Sequence, residues 1–195
     1  MQNYILNLAG GNMEPLDVVR DNKNNIINVD LCYPESDNNV LLVNTNYWLD
    51  NYFYPLYIKS DVYEFLSSTI VKFDRVCIYR FLEHVPKTNV LYFLYMIASC
   101  MKVGATLDVI VPDAQKLARR LLEEDVYSPD WESEDLLTTY EFLSDQPSPH
   151  LSLWTHDRIK KIFEMERFFA VIDIQENFEF DGRNIYIRAL SKRIR

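Results

Sequence analysis

The chain has 195 residues, 48% of them hydrophobic and 14% aromatic, which suits one globular domain with a core on both faces of a sheet and excludes a disordered chain. A formal net charge of −9 argues against a nucleic-acid binder, which needs clustered Lys and Arg to meet phosphates. Three widely spaced cysteines, Cys32, Cys77 and Cys100, form no C-x-x-C and have no neighbouring histidine, so reduced thiols, a cytoplasmic location and no metal site are expected. The longest nearly apolar stretch, Val90 to Met101, is 12 residues, short of the roughly 20 that span a bilayer, so no membrane segment is expected. The first residues, Met1-Gln-Asn-Tyr, lack the basic region of a signal peptide.

In chain order, Ile5 to Leu8 reads as a strand that runs into Gly10 and Gly11. Glycine permits close approach of a ligand to the backbone, and a glycine turn at the carboxyl end of a parallel strand is where α/β sheets bind nucleotides. Met13 to Arg20 has room for two helical turns. Asn25 to Leu31 reads as a second strand containing Asp30, 19 residues past Gly11, close to the roughly 20-residue interval at which an acid meets ribose hydroxyls. The purely structural alternative is a strand-end carboxylate capping a turn.

The next stretch, near 32–58, is an aromatic-rich insertion carrying Tyr33, Tyr47, Trp48, Tyr52, Phe53, Tyr54 and Tyr57, with a short strand at Val40 to Val43. It reads as cover for a sheet edge or as a wall of a substrate pocket. Ser60 to Leu66 reads as an extended piece followed by a loop, Phe73 to Tyr79 as a strand, and Arg80 to Pro86 as a turn. From Thr88, apolar residues at 90, 91, 94, 97, 98 and 101 predict a helix that ends at Lys102 and Gly104.

Thr106 to Val111 is a further strand, closed by Pro112-Asp113, with Asp113 capping a helix through Leu117 and Leu121. An acidic insertion near 123–149 holds nine acids and no Lys or Arg between Leu121 and Pro149, the pattern of a solvated face or, alternatively, of a surface for a basic partner. Thr155 caps a last helix with Ile159, Ile162, Phe163 and Phe169 on its apolar side, and His150 and His156, flanking Trp154, are expected to cap it too, the alternative being that they line a substrate entrance. Ala170 to Ile174 and Asn184 to Leu190 form a closing antiparallel pair about an Asp181-Gly182 turn. The alternation predicts a single α/β domain over 1–195: a doubly wound, Rossmann-like sheet, mostly parallel with a C-terminal antiparallel hairpin strand.

Taken together, the segments resemble the class I S-adenosylmethionine-dependent methyltransferases, most closely their small, type 11-like members. The likeness rests on Leu6-Asn-Leu-Ala-Gly-Gly11, Ile27-Asn-Val-Asp-Leu31, the run Phe73-Asp-Arg-Val-Cys-Ile-Tyr-Arg-Phe-Leu-Glu-His-Val-Pro86, Lys102 to Asp113, and His150-Leu-Ser-Leu-Trp-Thr-His-Asp157. It implies S-adenosylmethionine as cofactor, held by Asn7, Ala9, Gly10, Gly11, Asp30, Glu64, Tyr79 and Arg80. Asn7 stands where many members carry an acid, Ala9 takes the place of a glycine, and Arg80 is a large cation where small residues are common. Glu64 would meet the adenine amino group, with Phe65 an equally good alignment, and Arg80 would pair with Asp30, face the methionine carboxylate or obstruct the pocket. The implied activity is direct methyl transfer to a small-molecule or sugar-like acceptor, with no nucleic-acid or membrane partner. His84 is a candidate general base, and its structural alternative is a part of the turn. The competing reading is a non-catalytic protein of this fold that serves as a binding or assembly module.

Overall fold

The computed structural model describes residues 3–8, 24–30, 40–42, 56–123, 150–178 and 184–193. Its strands are β1 (Asn3–Leu8), β2 (Asn24–Asp30), β3 (Val40–Leu42), β4 (Leu56–Lys59), β5 (Phe73–Tyr79), β6 (Met101–Pro112), β7 (Phe169–Phe178) and β8 (Asn184–Ser191). The helices are α1 (Val62–Ser68), α2 (Val90–Cys100), α3 (Ala114–Glu123) and α4 (His156–Met165), with a 3-10 turn at Leu82–His84.

The strands form one sheet in the order β3-β4-β2-β1-β5-β6-β8-β7. Strand β1 lies at its centre, parallel to β2 with Ile5 opposite Ile26, and parallel to β5 with Ile5 opposite Arg75. From β1 the chain passes to β2 and on to β3 at the edge, inserts β4 between them, then returns to add β5 and β6 on the other side. The order therefore reverses between β1 and β5, and sheets of this kind bind ligands at the carboxyl ends of the strands beside such a reversal. Strand β8 runs antiparallel between β6 and β7, so the closing pair is antiparallel as expected, with β7 at the edge.

Period-two alternation gives the sheet two distinct faces. Leu6, Leu8, Ile27, Val29, Val76, Ile78, Leu107 and Val109 point to the larger core. Against it pack Phe65 and Leu66 of α1, Phe93, Leu94 and Ile97 of α2, and Ile159 and Phe163 of α4. Rings join these layers: Tyr63 meets Phe93 at 5.5 Å, and Phe163 meets Phe169 at 6.1 Å. The opposite face carries a smaller apolar cluster of Ile5, Ile26, Cys77, Tyr79, Ile110 and Tyr186. Burial pushes the Cys77 thiol up to about 12, so it is a packing residue and not a nucleophile.

That second face also holds a buried ionic cluster. Asp108 in β6 is 0% exposed. Its carboxylate accepts from Arg75 Nε at 2.5 Å, the Tyr186 hydroxyl at 2.6 Å and Arg188 Nε at 2.7 Å. Two guanidiniums and a phenol thus satisfy one charge that would otherwise be costly to bury.

Three expectations need correction. Ser60 to Leu66 is not an extended piece with a loop: Asp61 accepts from the N–H groups of Tyr63 and Glu64 and starts α1. The helix from Thr88 stops at Cys100, and Met101 already pairs with Phe73. Gly104 instead sits at φ +79 in the excursion between the Phe73–Met101 and Arg75–Thr106 pairs, a left-handed conformation that glycine adopts without a Cβ clash. Phe169 begins β7, because α4 ends at Met165. The glycine turn, the 13–20 segment, the Asp181-Gly182 turn and nearly all of the acidic insertion lie outside the described residues. Of the aromatic-rich insertion, Val40–Leu42 and Leu56–Lys59 are described, as strands β3 and β4.

Candidate functional site

The parallel strands β4, β2, β1, β5 and β6 present their carboxyl ends along one edge. At or just past those ends stand Asp61, Asp30, Leu8, Arg80 and Asp113, in that order across the sheet. Asp30 is the last residue of β2, opposite Lys59, and is 8% exposed. Its backbone carbonyl accepts from Ser60 N–H at 3.3 Å, which latches the start of the β4–α1 connection to the end of β2. Asp61 follows at once, and its Oδ1 accepts from Tyr63 N–H at 2.9 Å and Glu64 N–H at 3.1 Å. Glu64 is exposed on the first turn of α1, where an acid complements the helix dipole.

Asn7 and Tyr79 lie below this edge. Asn7 is buried, and its Nδ2 donates to Asn28 Oδ1 at 2.9 Å, while Asn28 Nδ2 donates to the Leu56 carbonyl at 3.4 Å. This amide chain crosses β1, β2 and β4 side by side. Tyr79 is buried in the smaller apolar cluster. Ala9, Gly10 and Gly11 lie outside the described residues.

Arg80 is the first residue past β5. Its φ is 52°, its side chain is exposed, and its N–H donates to the Ile110 carbonyl at 2.9 Å. A left-handed conformation costs a residue with a Cβ about 1–2 kcal/mol, and such strain persists where surrounding structure enforces it. Here the hydrogen bond to β6 supplies part of that constraint.

The turn after Arg80 is clamped from a distant part of the chain. The Glu83 carbonyl accepts from Leu151 N–H at 2.8 Å and Ser152 N–H at 2.9 Å, and the Ser152 hydroxyl donates to the Leu82 carbonyl at 3.2 Å. The clamp brings His150 against His84, with ring centres 4.8 Å apart and an edge-to-face tilt of 68°. Glu83 is 2% exposed, and desolvation pushes its carboxyl up to about 8, opposed by its own backbone N–H and by the Arg80 charge.

The two histidines around Trp154 do not cap α4 as expected. Thr155 is the cap, accepting from Arg158 N–H at 3.3 Å. His156 begins the helix and lies 3.5 Å from both Asp157 and Glu176, whereas His150 belongs to the Glu83 clamp. Trp154 is buried, and its backbone forms a parallel bridge with Asp113, which caps α3 through Gln115 N–H as expected.

Of the anticipated site residues, then, the fold brings Asp30 and Arg80 to the open edge, buries Asn7 and Tyr79 beneath it, and sets Glu64 on the adjoining helix. Asp61 and the His84–His150 contact were not anticipated. Asp61-x-x-Glu64 ahead of an apolar run is a capping signal that locates the first. For the second, 66 residues separate His84 from His150, and no local pattern joins them.

No protein-family model matches the chain, and no curated protein matches it in sequence. Solved structures do match in fold. The N-methyltransferase NodS from Bradyrhizobium japonicum WM9 is 10% identical, with 98% of this chain and 86% of that chain covered and a TM-score of 0.53. The PH0226 protein from Pyrococcus horikoshii OT3 is 13% identical, with 98% and 83% covered and a TM-score of 0.58. The plantazolicin methyltransferase BpumL, solved with a pentazolic desmethylPZN analog and S-adenosylhomocysteine (SAH), is 10% identical, with 98% and 77% covered and a TM-score of 0.56.

Proposed function

We propose that this chain, which has the class I methyltransferase fold, is an S-adenosylmethionine-dependent methyltransferase for a small-molecule or sugar-like acceptor. The observation that carries the reading is the position of Asp30: a carboxylate at the end of the strand beside β1, next to the reversal, in a chain that follows this fold over nearly its whole length. NodS and BpumL have both been crystallised with SAH.

The donor set along the edge suits the cofactor's parts. Asp30 would accept from the ribose hydroxyls, and the exposed Arg80 guanidinium would pair with the methionine carboxylate. Glu64 and Asp61 would stand on the adenine side, beyond Asp30. When bound, the cofactor supplies a methyl group already activated on a sulfonium, so the protein's task is positioning. The enforced φ of Arg80 serves that task by fixing where the backbone leaves β5. An amine acceptor needs little proton transfer. For a hydroxyl acceptor His84 would be the candidate base, although its packing against Glu83 and His150 leads to a different role, argued below.

Calorimetric titration with SAH tests the assignment. The native chain should bind one equivalent, and Asp30→Ala should weaken binding at least about tenfold, the loss of one charge-assisted hydrogen bond. Equal affinity in that variant would remove Asp30 from the ribose site. Failure of the native chain to bind would favour the non-catalytic binding or assembly module, a reading motivated by Asn7, whose amide is engaged with Asn28 inside the sheet.

A further inference from the structure

We propose that Glu83, His84 and His150 bind a divalent transition-metal ion of the zinc class, pinning the turn after β5 to the chain that leads into α4. One donor atom from each residue lies within 4.8 Å of the others. With zinc–ligand bonds of about 2.0–2.1 Å, donors in a tetrahedral site stand roughly 3.4 Å apart, so modest side-chain rotations close the set.

Three features separate this cluster from ordinary packing. Glu83 is 2% exposed, and its Oε2 is buried with no hydrogen-bond partner among the described residues. Buried polar atoms are nearly always satisfied, and a cation between the three side chains would satisfy this one. Next, the backbone is already fixed: the Glu83 carbonyl takes two N–H groups from 151–152, and the Ser152 hydroxyl reaches the Leu82 carbonyl, so the two ligand-bearing segments are held in register. Finally, the edge-to-face imidazole pair brings the two rings together but leaves the Glu83 oxygen unexplained.

The donor chemistry sets the class of ion. Two imidazoles and one carboxylate favour zinc, cobalt, nickel or ferrous iron over magnesium and calcium, which prefer all-oxygen sites. Three protein ligands leave a further coordination position for water or another group. This proposal stands apart from the methyltransferase reading, because none of its three ligands is assigned to the cofactor.

The test uses the untagged full-length chain, stripped with a chelator and dialysed against zinc. Bound metal is counted by mass spectrometry, and affinity is measured by competition with a chromophoric chelator. One zinc per chain is expected, unaffected by excess magnesium, with at least about tenfold weaker binding in His84→Gln and in His150→Gln. Cobalt substitution of the native chain provides a readout that does not depend on those variants folding. Its visible spectrum should show ligand-field bands without thiolate charge transfer. Substoichiometric zinc, equal affinity in both variants, or a thiolate band placing the ion on cysteine would each overturn the site. SAH titration of the same samples keeps the fate of the cofactor reading separate.

Discussion

Asp108 and Lys102 show how differently two ion-paired residues on one strand weigh. Asp108 is fully buried, and its carboxylate is the shared partner of Arg75, Arg188 and Tyr186. Removing it takes the carboxylate away from Arg75, whose side chain is only 16% exposed, so Asp108→Ala should destabilise by about 3–5 kcal/mol, the range for breaking a buried pair. Lys102 pairs with Asp74 at 2.8 Å, but both side chains are largely in solvent, at 46% and 30% exposure. Lys102→Ala should cost about 0–1 kcal/mol. Urea titrations of the two variants measure the contrast, and similar midpoints for both would contradict the view that the cluster organises the second face. None of this was legible in sequence. Asp108 is one polar residue inside an otherwise apolar strand, and its partners lie on two other strands.

Helix α1 is the element whose identity the sequence reading missed, and the reason is its length. Seven residues give fewer than two turns, too few for a periodic pattern to stand out, although Val62, Phe65 and Leu66 do fall at i, i+3 and i+4. The decisive local signal is the Asp61 cap with Glu64 three residues on. Asp61→Ala should therefore cost about 1 kcal/mol, which is a fall of roughly 2–4 °C in melting temperature for a chain of this size. An unchanged melting temperature would mean that tertiary packing of Phe65 and Leu66 holds α1 without its cap. The longer elements were legible for the complementary reason. Helix α2 repeats its apolar face over three turns and buries Val90, Phe93, Leu94 and Ile97, while Asp113 and Thr155 mark two helix starts by their side-chain chemistry. The position of Gly104 was misjudged because a glycine after a helix suggests a cap, whereas here it serves an excursion within β6.

At the scale of the whole molecule, alternation of strands and helices was enough to predict a doubly wound sheet with an antiparallel end, and the observed order is of that kind. The insertion of β8 between β6 and β7 was not predicted, since sequence adjacency says only that the two strands pair. The open edge was partly legible. Asp30 was singled out by its place at the end of the second strand, 19 residues past Gly11, and Arg80 by the family resemblance of the run Phe73 to Pro86. The polar chain from Asn7 through Asn28 to Leu56 and the Glu83–His84–His150 cluster were hidden, because each joins residues that only the folded sheet brings together.

The central claim is that this edge binds S-adenosylmethionine, and a thermal-shift titration with S-adenosylmethionine and SAH tests it most directly. A ligand present at 100 times its dissociation constant stabilises the folded chain by about 2.7 kcal/mol. For a chain of this size that corresponds to a rise on the order of 5–10 °C, expected with both compounds. No rise with either compound at saturating concentration would contradict the cofactor site and leave a methyltransferase fold used for binding or assembly.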